Sequence, residues 1–277
     1  MPVRLAQTVH ATRDIGGGQR IELAFGRDGT DARVPAVLLL PPATNAPHPA
    51  ALLLHGFSSR KEQMADTVGS ALLAAGIATL SIDLPLHGER IVAGSGTSWG
   101  IVGGHERAFD ASGMRNPLVM AGAWRTAQQD AQLALAYLGA RREVDRARLA
   151  LVGYSMGSFI GVNVAAGEPA VRALVLAAGG DLPDDMPYAQ ALRLIADPRR
   201  AIRKLHGRPL LMLHGRQDRT VRPEQAQRLF DAALEPKLLR WYDAGHHLPP
   251  GALGEAARWL LTSLDATRDA PIVSGLT

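Results

Sequence analysis

From about residue 50 onward, short apolar runs alternate with helical periods. The runs are Ala50–Leu54, Ile77–Ile82, Leu149–Gly153, Val171–Ala177, Pro209–Leu213 and Leu238–Trp241. Continuous apolar runs of this length suit parallel strands covered on both faces. Between them, apolar residues recur at helical spacing. Met64, Val68, Leu72 and Ala75 form one stripe, and Ala121, Trp124, Ala131, Leu135 and Leu138 form another after Pro117. A third begins at Pro223 and runs through Leu229 and Phe230, and the last joins Leu253, Ala257, Leu260 and Leu264. Proline at a first helical position lacks only an N–H that would have had no partner there. Before residue 50 the pattern is that of a meander. Ile21–Phe25 alternates, Val34–Leu40 is rich in strand formers, and "GRDGTD" supplies the turn between them. Strand then helix, repeated, predicts an α/β domain with right-handed crossovers over residues 1–277.

Two segments interrupt the alternation. Residues 84–116 are glycine-rich and aperiodic, and residues 179–206 carry Asp181, Asp184 and Asp185 with a short helical stretch. Both follow predicted parallel strands, at the ends where ligands bind in open α/β sheets, and are expected to be loop or lid insertions over a site.

Composition narrows the class. The chain has 277 residues, 47% hydrophobic and 20% charged, a soluble globular balance and not a disordered one. The net charge of +4 is carried by scattered arginines, and the densest cluster is Arg199, Arg200, Arg203 and Lys204. That cluster reads as a solvated helix face, so no nucleic-acid partner is expected. There is no cysteine, which excludes disulfides, thiolate metal sites and a cysteine nucleophile. No signal-peptide core and no apolar run of about 18 residues is visible, so a cytoplasmic protein without membrane attachment is expected.

The chemistry concentrates in "LALVGYSMGSFIG" (149–161). A buried strand runs into Gly153-Tyr154-Ser155-Met156-Gly157 and then into a helix, the context a G-x-S-x-G nucleophile turn requires. A side chain at 153 or 157 would collide with the flanking strand and helix, hence glycine at both. A dinucleotide site is disfavoured, because the glycines are spaced GxxxGxxxG and not GxGxxG. A serine hydroxyl needs a base, and the base an orienting acid, in the chain order serine, acid, histidine. "PLLMLHGRQDRTVRPEQ" (209–225) places Asp218 after a strand, with Asp181 as the rival acid. "DAGHHL" (243–248) supplies two histidines. Gly245 gives His246 freedom to swing inward and makes it the preferred base, leaving His247 as a neighbour that caps the last helix. Oxyanion donors are expected from the N–H of Met156 and from "HGFSSRKE" (55–62), where Phe57 N–H is the candidate. His55 is read as a histidine holding that loop, with direct substrate contact as the alternative.

Together these residues resemble the α/β-hydrolase superfamily over nearly the whole chain. "HGFSSRKE" and "IDLPLHGER" (82–90) are similar to the dienelactone-hydrolase-like carboxylesterases, with Asp83, His87 and Gly88 matching. The resemblance implies a mostly parallel sheet of about eight strands with helices on both faces, and cofactor-free ester hydrolysis by Ser155, His246 and Asp218. Serine in place of that family's usual cysteine points to a serine esterase. His87 either lines the pocket or braces a loop. Tyr154 and Trp99 are pocket candidates, and His105, Phe109 and Met114 either shape that pocket or form a satellite core. No metal site is expected, since HExxH is absent and Asp83 with His87 are too few ligands. The expected substrates are small to medium acyl esters, with thioesters, amides and acetyl esters of polysaccharides open. A non-catalytic binding protein and a lyase on the same fold are the rival classes.

Overall fold

The computed structural model describes residues 4–43, 47–91, 117–184 and 189–268. Nine strands form one sheet: β1 (Leu5–Ile15), β2 (Gly18–Arg27), β3 (Val34–Leu40), β4 (His48–Leu54), β5 (Ala78–Ile82), β6 (Val144–Tyr154), β7 (Val171–Ala177), β8 (Leu210–Gly215) and β9 (Lys237–Tyr242). Their order is β1-β2-β3-β5-β4-β6-β7-β8-β9. The meander β1–β2–β3 and the β3–β5 pair are antiparallel, and every pair from β5 to β9 is parallel. The predicted α/β architecture is therefore present. The addition is β1, whose residues are mostly exposed or half-buried, so it carries no continuous apolar face to read.

Helices cover both faces. They are α1 (Lys61–Met64, a π-helical turn at Ala65–Gly69, then Ser70–Ala74), α2 (Pro117–Gly139), α3 (Met156–Gly167), α4 (Ala189–Ala196), α5 (Pro198–Arg203), α6 (Pro223–Ala232) and α7 (Pro250–Thr267). The pleat sends alternate residues of each central strand to opposite cores. Leu52 and Leu54 of β4 pack with Ala131, Leu135 and Leu138 of α2 and with Leu229 of α6. Ala51 and Leu53 pack on the other face with Met64, Val68 and Leu72 of α1 and Ala257, Leu260 and Leu264 of α7. The stripes read from sequence are the buried faces of these helices.

In the 179–206 segment the described residues from 189 on form two helices, α4 and α5, where one short helical stretch was expected. Asp197 caps α5 by accepting from Arg199 and Arg200 N–H, and Ala201, Ile202 and Leu205 are buried in the core. Arg199, Arg200, Arg203 and Lys204 face solvent, as a solvated helix face should. Among the described residues no helix is long and apolar enough to cross a membrane.

Candidate active site

Ser155 sits at the junction of β6 and α3 with φ 51° and ψ −113°, a conformation that L-residues populate sparsely and that costs on the order of 1–3 kcal/mol. The surroundings hold it there. Ser155 N–H donates to Ala177 C=O at 2.8 Å, and the Ser158 hydroxyl reaches the carbonyls of Gly153 and Ala177 at 2.7 and 2.9 Å. A Cβ at Gly153 would lie 2.4 Å from Gly157 O, and one at Gly157 would lie 2.1 Å from Leu54 O. Both glycines are therefore steric requirements of the turn, as expected from the pentapeptide. Met156 opens α3, so its N–H has no acceptor within the helix and the positive end of the helix lies beside Ser155.

The candidate acid and base, Asp218 and His246, come from the loops after β8 and β9. Backbone bonds continue past both strands, Arg216 N–H to Tyr242 C=O at 2.8 Å and Gln217 N–H to Ala244 C=O at 3.0 Å. Gly215 lets the two loops close, since a Cβ there would stand 2.1 Å from Gly245 O. The result is a continuous relay. His246 Nε2 lies 2.9 Å from Ser155 Oγ, and His246 Nδ1 lies 2.8 Å from Asp218 Oδ2. A carboxylate can only accept, so Nδ1 carries the proton and Nε2 is left as acceptor for the serine hydroxyl. Asp218 is fully buried, and its Oδ1 accepts from Thr220 and Val221 N–H at 2.8 and 3.0 Å. Burial alone would raise its pKa. The hydrogen bond from His246 and the two backbone donors outweigh burial and hold the carboxyl below its ordinary range.

The rival acid is committed elsewhere. Asp181 is buried and paired with Arg193, with Oδ1 and Oδ2 accepting at 2.7 and 3.1 Å, which ties α4 to the end of β7. The two histidines separate cleanly. His246 is in the relay, and His247 is exposed with its ring 5.9 Å away in edge contact. His247 does not cap α7, whose N-cap is Pro249 with no side-chain bond.

Tyr154, expected as a pocket residue, acts as a strut through its hydroxyl. Its hydroxyl donates to His246 C=O at 2.7 Å and accepts from Leu248 N–H at 3.1 Å, which fixes the histidine loop to β6. His55 is tied to the backbone on both sides of its ring. Its Nδ1–H donates to Gly56 C=O at 2.7 Å and its Nε2 accepts Leu84 N–H at 3.1 Å, and burial drives its pKa down to about 3. Gly56 lies directly on the nucleophile turn, where a Cβ would be 3.4 Å from Ser155 Cβ, and Phe57 follows it. His87 stands behind this turn, its ring 5.6 Å from Phe57 and 5.0 Å from His55, with Nδ1–H donating to Pro85 C=O at 2.9 Å. Trp99, His105, Phe109 and Met114 lie outside the described residues. Among the described residues no three His, Asp or Glu side chains gather as metal ligands.

Sequence reasoning missed two buried groups. His214 Nε2–H donates to Val221 C=O at 2.9 Å and lies 3.6 Å from Asp218 Oδ2, so it steadies the acid loop from below. Lys61, on the apolar side of α1, is buried among the carboxylates of Asp83, Glu62 and Glu89. The spacing of "LHGRQD" holds the first signal, a histidine at the strand's end four residues before the acid. The second has little local signal, because apart from Glu62 its partners lie 22 and 28 residues away.

The chain belongs to the Alpha/beta hydrolase family, whose model matches residues 51–272. Solved structures resemble it over nearly its whole length. Acetyl xylan esterase 1 from Thermoanaerobacterium sp. JW/SL YS485 superposes with a TM-score of 0.70 at 21% identity, covering 95% of this chain and 89% of that one. A cold-adapted esterase from an Arctic intertidal metagenomic library gives 0.65 at 19% identity, covering 92% and 97%. A glucuronoyl esterase from Solibacter usitatus gives 0.65 at 15%, covering 95% and 87%. No curated protein matches the sequence significantly.

Proposed function

We propose that the chain is a serine carboxylesterase that hydrolyses small to medium acyl esters through an acyl-enzyme, without a cofactor. The observation that carries this reading is the relay of 2.9 and 2.8 Å from Ser155 through His246 to Asp218. Ser155 Oγ attacks the ester carbonyl while His246 Nε2 takes its proton. Asp218 keeps the other ring nitrogen protonated and stabilises the imidazolium that forms. The N–H groups of Met156 and Phe57 receive the oxyanion, a contribution that on removal of one donor costs about 10²–10³ in rate. His246 then protonates the departing alcohol, and water, deprotonated by the same ring, releases the acid.

The solved structures most like the chain include enzymes named for esters on carbohydrates, so acetylated sugars and uronate esters are the first substrates to try beside p-nitrophenyl acetate. A cytoplasmic setting is part of this reading, and a chain without cysteine is compatible with it. Ser155→Ala is expected to abolish hydrolysis of p-nitrophenyl acetate, and undiminished turnover would refute the assignment. A fluorophosphonate probe separates a hydrolase from a binding protein on this fold. It labels Ser155 in the first and leaves it unlabelled in the second.

A further inference from the structure

We propose that Asp83, Lys61 and Glu89 are positioning residues that clasp the oxyanion loop, the turn 55–61 that carries Phe57 N–H. The proposal rests on the esterase reading above. The β4–β5 ladder ends at Leu54 and Ile82, so beyond it no strand pairing holds the loop that follows β4. Side chains take over. At the start of the loop His55 accepts Leu84 N–H at 3.1 Å. At its end, Lys61 donates its backbone N–H to Asp83 Oδ1 at 2.9 Å and its ammonium to Asp83 Oδ2 at 3.0 Å. The same ammonium reaches Glu89 Oε1 and Glu62 Oε1, each at 2.6 Å. Glu89 N–H returns to Asp83 Oδ2 at 3.0 Å, and Arg90 ties the Asp83 carbonyl to Asp130 of α2 at 3.1 and 2.6 Å.

Two further features fit a device for holding shape. Ser58, next to Phe57, has φ 59°, a strained value for a non-glycine residue that persists only where both ends of the turn are pinned. Gly88 has φ 54°, and a Cβ there would stand 2.2 Å from Asp83 Oδ1, so the clasp closes only over glycine. Asp83 and Lys61 are both buried, 0% and 2% exposed. A buried ion pair is a poor source of stability compared with apolar packing, because desolvation offsets the attraction. Its use here is geometric. A donor displaced by about 1 Å costs on the order of 10²-fold in rate.

The test separates geometry from stability. Asp83→Asn keeps the shape and removes the charge, and Gly88→Ala keeps every charge and wedges the clasp open. Each is assayed with p-nitrophenyl acetate and with a trifluoromethyl ketone, which adds to the serine to form a tetrahedral oxyanion. In the folded fraction, verified by near-ultraviolet circular dichroism, kcat is expected to fall about 10- to 100-fold. The inhibition constant rises by a matching factor, and KM stays within about threefold. A lower melting temperature with kcat and inhibition constant unchanged would overturn the proposal. If neither variant folds, Glu89→Gln decides, since that side chain is 62% exposed. A paired change of about threefold in kcat and inhibition constant there supports the clasp, and wild-type constants overturn it. Ser155→Ala run alongside isolates the parent reading. If it still hydrolyses ester, the esterase assignment fails, whatever the clasp variants do.

Discussion

At the scale of single residues, the site depends on side chains that hold other side chains. Tyr154 is the clearest case, because the residue before Ser155 grips the His246 loop through His246 C=O and Leu248 N–H. Tyr154→Phe removes both bonds without changing the ring. We expect kcat on p-nitrophenyl acetate to fall about tenfold with KM nearly unchanged, and stability to drop by about 0.5–1.5 kcal/mol. Unchanged kcat would reduce the strut to packing. The paired histidines give a second test. His246→Ala is expected to lower kcat by about 10³-fold or more, and His247→Ala to leave it within about threefold. The reverse order would place the wrong ring in the relay. Sequence alone could name Ser155, Asp218 and His246, because strand ends, glycine and chain order are local signals. It could not exclude Asp181 as the acid, since that took seeing Arg193 on its carboxylate. Nor could it assign Tyr154, whose partners are backbone atoms more than 90 residues away.

Elements tell a similar story of local and distant signals. The central strands and α1, α2, α6 and α7 were legible because each buries an apolar run or stripe. β1 was not, because an edge strand with mostly exposed side chains has no face to read. α5 was legible only by its charged face, Arg199, Arg200, Arg203 and Lys204, as six residues are too few to show an apolar period. Its burial makes a prediction. Ile202 is fully buried on a helix that packs against α3 and α6, so Ile202→Ala is expected to cost about 2–4 kcal/mol in urea unfolding. Its kcat should match wild type, as befits a helix of the scaffold. A kcat that falls with little loss of stability would make 198–203 part of a moving cover.

For the whole molecule, the buried histidines set the response to acid. Burial is the largest cause that lowers the pKa of His55, His87 and His214, and in His55 it reaches about 3. Unfolded histidine titrates near 6.5. As pH falls below about 6.5, the unfolded chain takes up protons that the folded chain refuses, so stability drops by up to about 1.4 kcal/mol per pH unit for each such histidine. Asp218, held below its ordinary pKa, acts in the same direction at lower pH, because its contribution is lost as the folded carboxyl finally protonates. The urea midpoint is therefore expected to fall steadily from pH 7 to pH 5, and a flat midpoint would contradict the neutral buried rings.

The Tyr154 strut has a consequence for engineering. Its acceptor and donor are main-chain atoms of 246 and 248, and main chain cannot be substituted. No change of side chain at either position can compensate for losing the tyrosine hydroxyl. Libraries that randomise the middle of the serine pentapeptide, and grafts that import another family member's version of it, carry the histidine loop's anchorage with them. Such exchanges are expected to work only when the whole 243–248 loop travels too.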